Sequence, residues 1–384
     1  MNVILYESAS HGGNFDYSRH LFSSYGKHLE IESLEWLIPS SSPVGSAPGV
    51  YKILCDDNRK FRISILNRFY FVYRSFANPL RLFRHLRSKK NSQLVILNDF
   101  EQLTAPFWVP FYKAFLKRHW FAVVLHDPDR DAYPPSKAIS RMSMKGMMSL
   151  MSIALYHEHL PEKPYYVSNK KTTYISIPHG QYEQAHSDHP MTEMLRRGRK
   201  DSLFISIIGN IRMEKNYEMA IEAVSKIPGV KLVIAGSPSS SSVSVEKLRT
   251  LAASLQVEER VVFILKFLTQ SELNAVVESS DVILLNYKNT FASQSGIFNL
   301  IAPYKKRLII SRTESGLAAM AKKFGIGHFV EPDDPGDFVR VLRQALQDDN
   351  NSSEGWNEYL QYSSWENHVN IVVSAFKRIN TDAV

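Results

Sequence analysis

An α/β fold made of two doubly wound parallel sheets is predicted by two features of the sequence. Short runs of β-branched and aliphatic residues alternate with helical patterns along nearly the whole chain, and those runs are almost continuously apolar, as strands covered on both faces are. The 384 residues, 44% of them hydrophobic, are also enough for two domains of ordinary size, each with a core of its own. Disorder as the dominant state is excluded, because a chain this rich in branched and aromatic residues can offset its ordering entropy.

In the first half the strands expected are Val3–Tyr6, Leu94–Leu97, Phe121–Leu125 and Tyr174–Ile177. The pattern starts afresh with Phe204–Ile208, Lys231–Ala235, Val261–Ile264, Val282–Leu285 and Leu308–Ile310, each followed by a helical stretch. Between the halves, residues 181–201 carry no strong apolar periodicity and include the basic string Arg196-Arg197-Gly198-Arg199-Lys200, so they read as a linker with one short helix. The division is then 1–180, the linker, 202–362, and a terminal segment 363–384 whose amphipathic helix, Trp365 to Ile379, crosses back to the first domain. Ser237-Pro238 and the serines 239–242 read as a flexible loop after a strand. No solenoid repeat is present.

Composition narrows the partners. Lys plus Arg number 46 against 38 Asp plus Glu, a net charge of +8 that favours anionic partners. The single cysteine, Cys55, can neither close an intramolecular bridge nor supply a multi-cysteine zinc site, which points to a reducing compartment. Nothing near Met1 reads as an export signal, and the apolar run Gly146 to Leu155 is about half the ~20 residues a bilayer crossing needs. A soluble or peripheral protein is expected.

The densest chemistry lies in Phe204 to Asn216: a buried strand, a turn, two cations, then a helix from Tyr217 to Lys226. Gly209 at the strand end allows a tight turn and close backbone approach, and Asn210 follows it. Arg212 and Lys215 would project from the carboxyl edge of the sheet, where such folds bind ligands, and a forked guanidinium beside a compact ammonium suits a diphosphate. On spacing alone, two solvated cations near a helix start is an equal reading. A second element shifts the balance. After the strand ending in Tyr287, Ser293-Gln294-Ser295-Gly296 opens a helical run Ile297 to Ala302, with Ser295 as the N-cap and first-turn amides left uncovered for an anion.

At these residues the chain resembles the retaining glycosyltransferases of GT-B fold, family four and its relatives. The matching pieces are Gly209-x-Ile211-Arg212-x-x-Lys215, Tyr287 followed by Ser295-Gly296 and an apolar helix, and the strand Arg307 to Ser311. Val261 to Ile264, Thr269-Gln270-Ser271-Glu272, Ser280-Asp281-Val282, Ile326 to Val330 and Asp333-Asp334-Pro335 stand in the family's order. The resemblance covers residues 203–345 well and the first half more loosely, and order plus spacing is what makes it specific. It implies two Rossmann-like domains facing a central cleft. Two departures stand out: the family's paired acids correspond to Ser293 and Ile301, as in a subgroup whose helix begins Ser-Gly, and Asn216 replaces a usual glycine.

In the first half, His11-Gly12-Gly13-Asn14 follows the first strand and precedes an amphipathic helix, Tyr17 to Lys27. The resemblance places Gly12 and Gly13 toward donor phosphate, and His11, Asn14 and Asp127 toward the acceptor. His126, at the end of Phe121–Leu125, matches a family histidine near the donor sugar, where an imidazole can donate or accept a hydrogen bond. Bonding to its own loop is the plainer alternative. Asp127-x-Asp129-x-Asp131 could mimic a metal motif of another fold, and His157-Glu158-His159 a metal pair, but neither sits in a supporting context.

From Asn58 to Asn98 the chain holds ten Lys or Arg and no acid, interleaved with aromatic residues. Such a helix can lie in a membrane interface, although the same spacing suits a core-facing helix; the charge bias over residues 59–90 favours an anionic membrane surface over nucleic acid, for which no binding module is present. The expectation is thus a metal-independent hexosyltransferase without a resident cofactor, in polysaccharide or glycolipid synthesis, facing the cytoplasm and peripheral on the inner face of the membrane. It would carry sugar from a nucleotide diphosphate donor to a lipid-linked or saccharide acceptor. The rivals are a GT-B protein that binds nucleotide sugar or a partner without transfer, and a nucleotide-sugar epimerase.

Overall fold

A computed structural model of the chain describes residues 1–131, 136–182, 189–238, 243–291, 295–348 and 353–382. They form two compact units: Met1–His179 with the segment from Trp365 onward, and Gly180–Ser364.

The first unit is built on seven strands: β1 (Asn2–Tyr6), β2 (Ser33–Pro39), β3 (Val50–Leu54), β4 (Leu94–Leu97), β5 (Trp120–Leu125), β6 (Ile153–His157) and β7 (Thr173–Ile177). They lie in the order β3-β2-β1-β4-β5-β6-β7, and every neighbouring pair is parallel. Alternation along β1 turns Val3 and Leu5 to one face, where Phe15, Leu21 and Val372 cover them, and Ile4 and Tyr6 to the other, against Leu82, Leu86 and Phe121. The last helix, Trp365–Asp382, belongs to the first of these faces through Val369, Val372 and Val373.

The second unit holds β8 (Leu203–Ile208), β9 (Val230–Ala235), β10 (Val261–Ile264), β11 (Val282–Leu285), β12 (Arg307–Ser311) and β13 (His328–Val330). Their order is β10-β9-β8-β11-β12-β13, again all parallel. Each sheet therefore reverses its winding once, between β1 and β4 and between β8 and β11, and the crevice outside the carboxyl ends at such a reversal is where open α/β sheets take ligands.

The short helix expected in the linker stretch is Pro190–Arg199, and it packs Met191 and Leu195 into the second unit's core. Its apolar residues are few, which hid the packing face. The helix expected from Tyr17 begins at Gly13, because the turn at Gly12 (φ +85°) is complete before it, and Tyr25 is its last residue. The loop serines 239–242 lie outside the described residues.

Candidate functional site

In the second unit the reversal point is formed by the ends of β8 and β11. Gly209 follows β8 with φ +88°, and a Cβ there would stand 2.9 Å from Ile297 Cδ1 and 3.3 Å from Lys215 Nζ. One strand end thus touches both the cation loop and the helix Gly296–Ile301. A second glycine makes this possible and is not evident from the sequence: a Cβ on Gly236, just past β9, would fall 2.2 Å from the Gly209 carbonyl oxygen. Its only signal is a glycine at the end of the adjacent strand.

Lys215 does not project from the sheet edge. The turn Met213–Lys215 folds back beneath the end of β8, leaving Lys215 8% exposed with Nζ donating to the Ile208 carbonyl at 2.5 Å. Burial first, and the Arg212 charge second, pull its pKa down to about 7. Arg212 is exposed, and among the described residues its guanidinium has no hydrogen-bond or ion-pair partner; Asn210 is exposed beside it. The loop is pinned from below, Lys288 N donating to the Glu214 carbonyl at 2.8 Å. Asn216 adopts the left-handed conformation (φ 49°, ψ 50°), which explains why glycine suits this position and why asparagine is tolerated. Its side-chain amide donates to Asp333 at 2.9 Å, and its carbonyl accepts from Asn286 at 3.1 Å.

Tyr287 is buried, stacked on Phe291 with ring centroids 3.8 Å apart, and its hydroxyl lies 3.0 Å from Ser295 Oγ. Ser295 therefore occupies the N-cap position without capping: its hydroxyl is engaged by Tyr287 instead of a first-turn amide, and Gly296 next to it is exposed. Ile301, one of the two positions where an acid is usual, lies wholly in the hydrophobic core; Ser293 falls outside the described residues.

The first unit has its own cavity at the β1/β4 reversal, about 630 Å³, with Asn14, Asp99, Glu101, His126 and Asp127 on its wall. His126 Nε2 lies 3.1 Å from Asn98 Oδ1, and Asn98 Nδ2 donates to Glu7 at 2.5 Å and to the Asn14 carbonyl at 3.0 Å. With both amide hydrogens used on acceptors, Oδ1 must accept, so His126 carries its proton on Nε2. Burial and the neighbouring cationic groups depress its pKa to about 3, keeping the ring neutral. His126, His157 and His368 all edge onto Tyr17, with centroid separations of 4.6, 5.6 and 5.7 Å. His368 Nδ1 lies 3.1 Å from the Pro178 carbonyl oxygen.

Gly12 and Gly13 form an open turn on which a Cβ would meet nothing, and His11 is exposed, 3.6 Å from Asp57. Asp129 pairs with Lys163 at 2.8 Å and Asp131 with Arg141 at 2.8 Å, so those carboxylates are engaged in ion pairs. Three acids here carry no mark in the sequence. Glu7 accepts from Ala9 N at 2.7 Å, and its pKa rises to about 8 through burial and the Asp99 charge. Glu101 accepts from Tyr6 OH at 2.6 Å, and burial lifts it to about 7. Asp99 accepts from Ser8 Oγ at 2.9 Å.

Residues 195–361, within the second unit, match the family described as Glycosyl transferases group 1. D-inositol 3-phosphate glycosyltransferase of Mycobacterium ulcerans (strain Agy99) is 24% identical over 187 residues, 47% of this chain and 39% of that protein. The enzyme of the same name from Mycolicibacterium smegmatis is 24% identical over 185 residues, 47% and 42% of the two chains. The chain thus spans about four-tenths of the length of these curated relatives. Among solved structures, sucrose-phosphate synthase from Thermosynechococcus elongatus has a TM-score of 0.68 at 13% identity, covering 99% of each chain. Anabaena HepE in complex with UDP and glucose has a TM-score of 0.66 at 12% identity, covering 99% of this chain and all of that one. At such identities the similarity defines the fold: this chain has the GT-B fold of two Rossmann-like domains.

Proposed function

We propose that this protein is a retaining glycosyltransferase that moves a hexose from a nucleotide diphosphate donor to a lipid-linked or saccharide acceptor. One observation carries the reading: at the reversal point of the sheet in the segment that matches the group 1 family, Gly209 adjoins both the buried Lys215 ammonium and Ile297 of the uncapped helix, with the exposed Arg212 three residues before that lysine. In this scheme Gly209 and Asn210 admit the diphosphate, Arg212 and Lys215 neutralise the charge that grows on it as the sugar departs, and Tyr287 holds Ser295 and Gly296 in place. Electrostatic stabilisation of that kind is commonly the largest catalytic contribution. Neither a metal nor a resident cofactor is called for. A uridine diphosphate sugar is the donor to test first, since HepE was solved with UDP and glucose. The Gly12-Gly13 turn serves the donor, and the first unit's cavity, with His11, Asn14 and Asp127, takes the acceptor. His126, neutral, offers a ring nitrogen to the sugar.

The basic segment 59–90 attaches the enzyme to the inner face of an anionic membrane. Among the described residues no helix is long and apolar enough to cross one. Supporting the attachment, the helix Ser64–Arg87 leaves Ile65, Phe69 and Tyr73 exposed beside its cations.

Calorimetry with UDP, then release of UDP from a panel of sugar nucleotides with lipid and glycan acceptors, tests the reading. Failure of UDP to bind refutes it. The core position of Ile301, where an acid is usual, favours a second reading, donor binding without transfer; saturable binding with no turnover on any acceptor would select that one.

A further inference from the structure

Three residues that stand just past adjacent strands form a chain of hydrogen bonds in the first unit: Glu7 after β1, Asn98 after β4 and His126 after β5. The parallel ladder itself brings the first two together, Asn98 N donating to the Tyr6 carbonyl at 3.0 Å just beyond the paired strands. Asn98 is wholly buried, so its side-chain polar atoms need partners inside the fold. Nδ2 finds two, Glu7 Oε2 at 2.5 Å and the Asn14 carbonyl at 3.0 Å, and Oδ1 lies 3.1 Å from His126 Nε2.

The Asn14 carbonyl decides which way the amide points. Glu7 can donate when protonated, and burial together with the Asp99 charge brings its pKa to about 8. A backbone carbonyl, however, accepts at every pH, so turning the amide over would set Oδ1 against it. Nδ2 therefore stays on that side, Oδ1 faces the imidazole, and the ring's proton is held on Nε2. The Glu7 carboxyl, itself fixed by Ala9 N at 2.7 Å, backs the same orientation. What remains is Nδ1, which has no hydrogen-bond partner among the described residues, on a ring that stands in the wall of the 630 Å³ cavity. With Nε2 occupied, the neutral ring can hydrogen-bond a ligand only as an acceptor at Nδ1. Tyr17 and His157 pack against this ring, Arg130, His179 and His368 are the other groups whose charge bears on it, and Asp127 follows it in the chain.

We propose that Asn98 is a positioning residue for sugar transfer, acting through His126: it holds the imidazole so that the Nδ1 lone pair accepts a hydrogen bond from a substrate hydroxyl. The proposal rests on the glycosyltransferase reading and adds to it a buried residue that reaches the substrate only through another. Nitrogen-15 NMR of the full chain with labelled histidine, assigned with His126→Gln, reads the tautomer directly. A single neutral form protonated at Nε2 is expected between about pH 5 and 8. Asn98→Asp keeps the shape and sets a carboxylate on the Nε2 proton, so the ring should take up its second proton at higher pH than in the unaltered chain. In turnover of a sugar nucleotide, Asn98→Ala should lower kcat about tenfold with the donor KM unchanged, as loss of one net hydrogen bond would. On top of His126→Ala the same change should cost less than about twofold, because a residue acting through that ring has nothing left to position. A proton on Nδ1, a mixture of both tautomers, an Asn98→Asp ring that titrates no higher, or full independent losses in the double variant would overturn the proposal. Should a variant fail to fold, as circular dichroism would report, the tautomer of the unaltered chain still decides. Absence of UDP binding to the unaltered chain would instead overturn the transferase reading, and the role in transfer with it, whatever the tautomer.

Discussion

Lys215 gives the sharpest test of the donor pocket. Its ammonium is buried and its pKa has fallen from an ordinary 10.5 to about 7, so near neutrality the free protein holds it half protonated. A bound diphosphate supplies the counter-charge that burial withholds, and the pKa should climb back toward its ordinary value. Binding then takes up a proton. By linkage, affinity for UDP should fall with rising pH between 7 and 10.5, at a limiting rate of about tenfold per pH unit. Between pH 7.5 and 8.5 the expected loss is about eightfold, with nearly one proton absorbed per UDP bound at the upper value. Working above pH 7.5 keeps the diphosphate fully ionised, since its last proton leaves near pH 6. Calorimetry in buffers of differing ionisation enthalpy measures both quantities. Lys215→Met should bind UDP weakly and without pH dependence. A flat affinity across this range, with no proton uptake in the unaltered chain, would show that the ammonium does not meet the phosphates. The same shift bears on stability, with the opposite beneficiary: a lysine whose folded pKa lies below its unfolded one destabilises the fold at neutral pH, and the cost shrinks as pH rises toward 10.5. Lys215→Met should therefore melt higher than the unaltered chain at pH 7, and the gap should close at alkaline pH.

Removing the exposed guanidinium with Arg212→Ala should weaken UDP binding tenfold or more, read by calorimetry, with no change in melting temperature. His126→Ala should lower turnover more than donor affinity; and because that ring is held neutral, the turnover profile of the unaltered enzyme should show no limb from His126 between pH 5 and 8. Gly236→Ala places a methyl 2.2 Å from the Gly209 carbonyl oxygen and should cost about 1–3 kcal/mol in denaturant unfolding while impairing UDP binding. Replacing Arg59, Lys60, Arg62 and Arg68 by Gln should reduce sedimentation with phosphatidylglycerol vesicles at least tenfold, each cation near a membrane surface contributing about 1 kcal/mol. Equal sedimentation would remove the membrane attachment.

The central strands were legible because burial on both faces leaves little room for polar residues: β4, β5 and β11 are unbroken apolar runs, and β1 and β8 each hold one polar residue, Asn2 and Ser206. In the first sheet β2, β3 and β6 were not, although the edge strand β7 was expected at Tyr174–Ile177. β2 carries Ser33 and Glu35, β3 at the edge is half exposed, and β6 follows a methionine-rich helix so closely that one apolar stretch hid both. Gly209, Arg212 and Lys215 stand within seven residues, so their nearness at the end of β8 was visible. Glu7 and Asn98 come together only because β1 and β4 are neighbours across 91 residues, a fact of strand order that no local pattern states. The same holds for Gly236, whose necessity is set by a carbonyl on another strand. Local chemistry also misjudged Lys215: spacing put it near the ligand, but its burial depends on a turn folding beneath a strand.

The return of the terminal helix has a practical consequence. Trp365 and His368 are two of the rings that wall in Tyr17, and Tyr17 in turn buttresses the imidazole of His126. A chain truncated after residue 364 would retain residues 195–361, which match the family, yet strip the scaffolding from a histidine nearly 240 positions upstream. Loss of activity on trimming or tagging that end would then report damage around His126 in the first unit, and should not be mistaken for a defect at the Lys215 turn in the second.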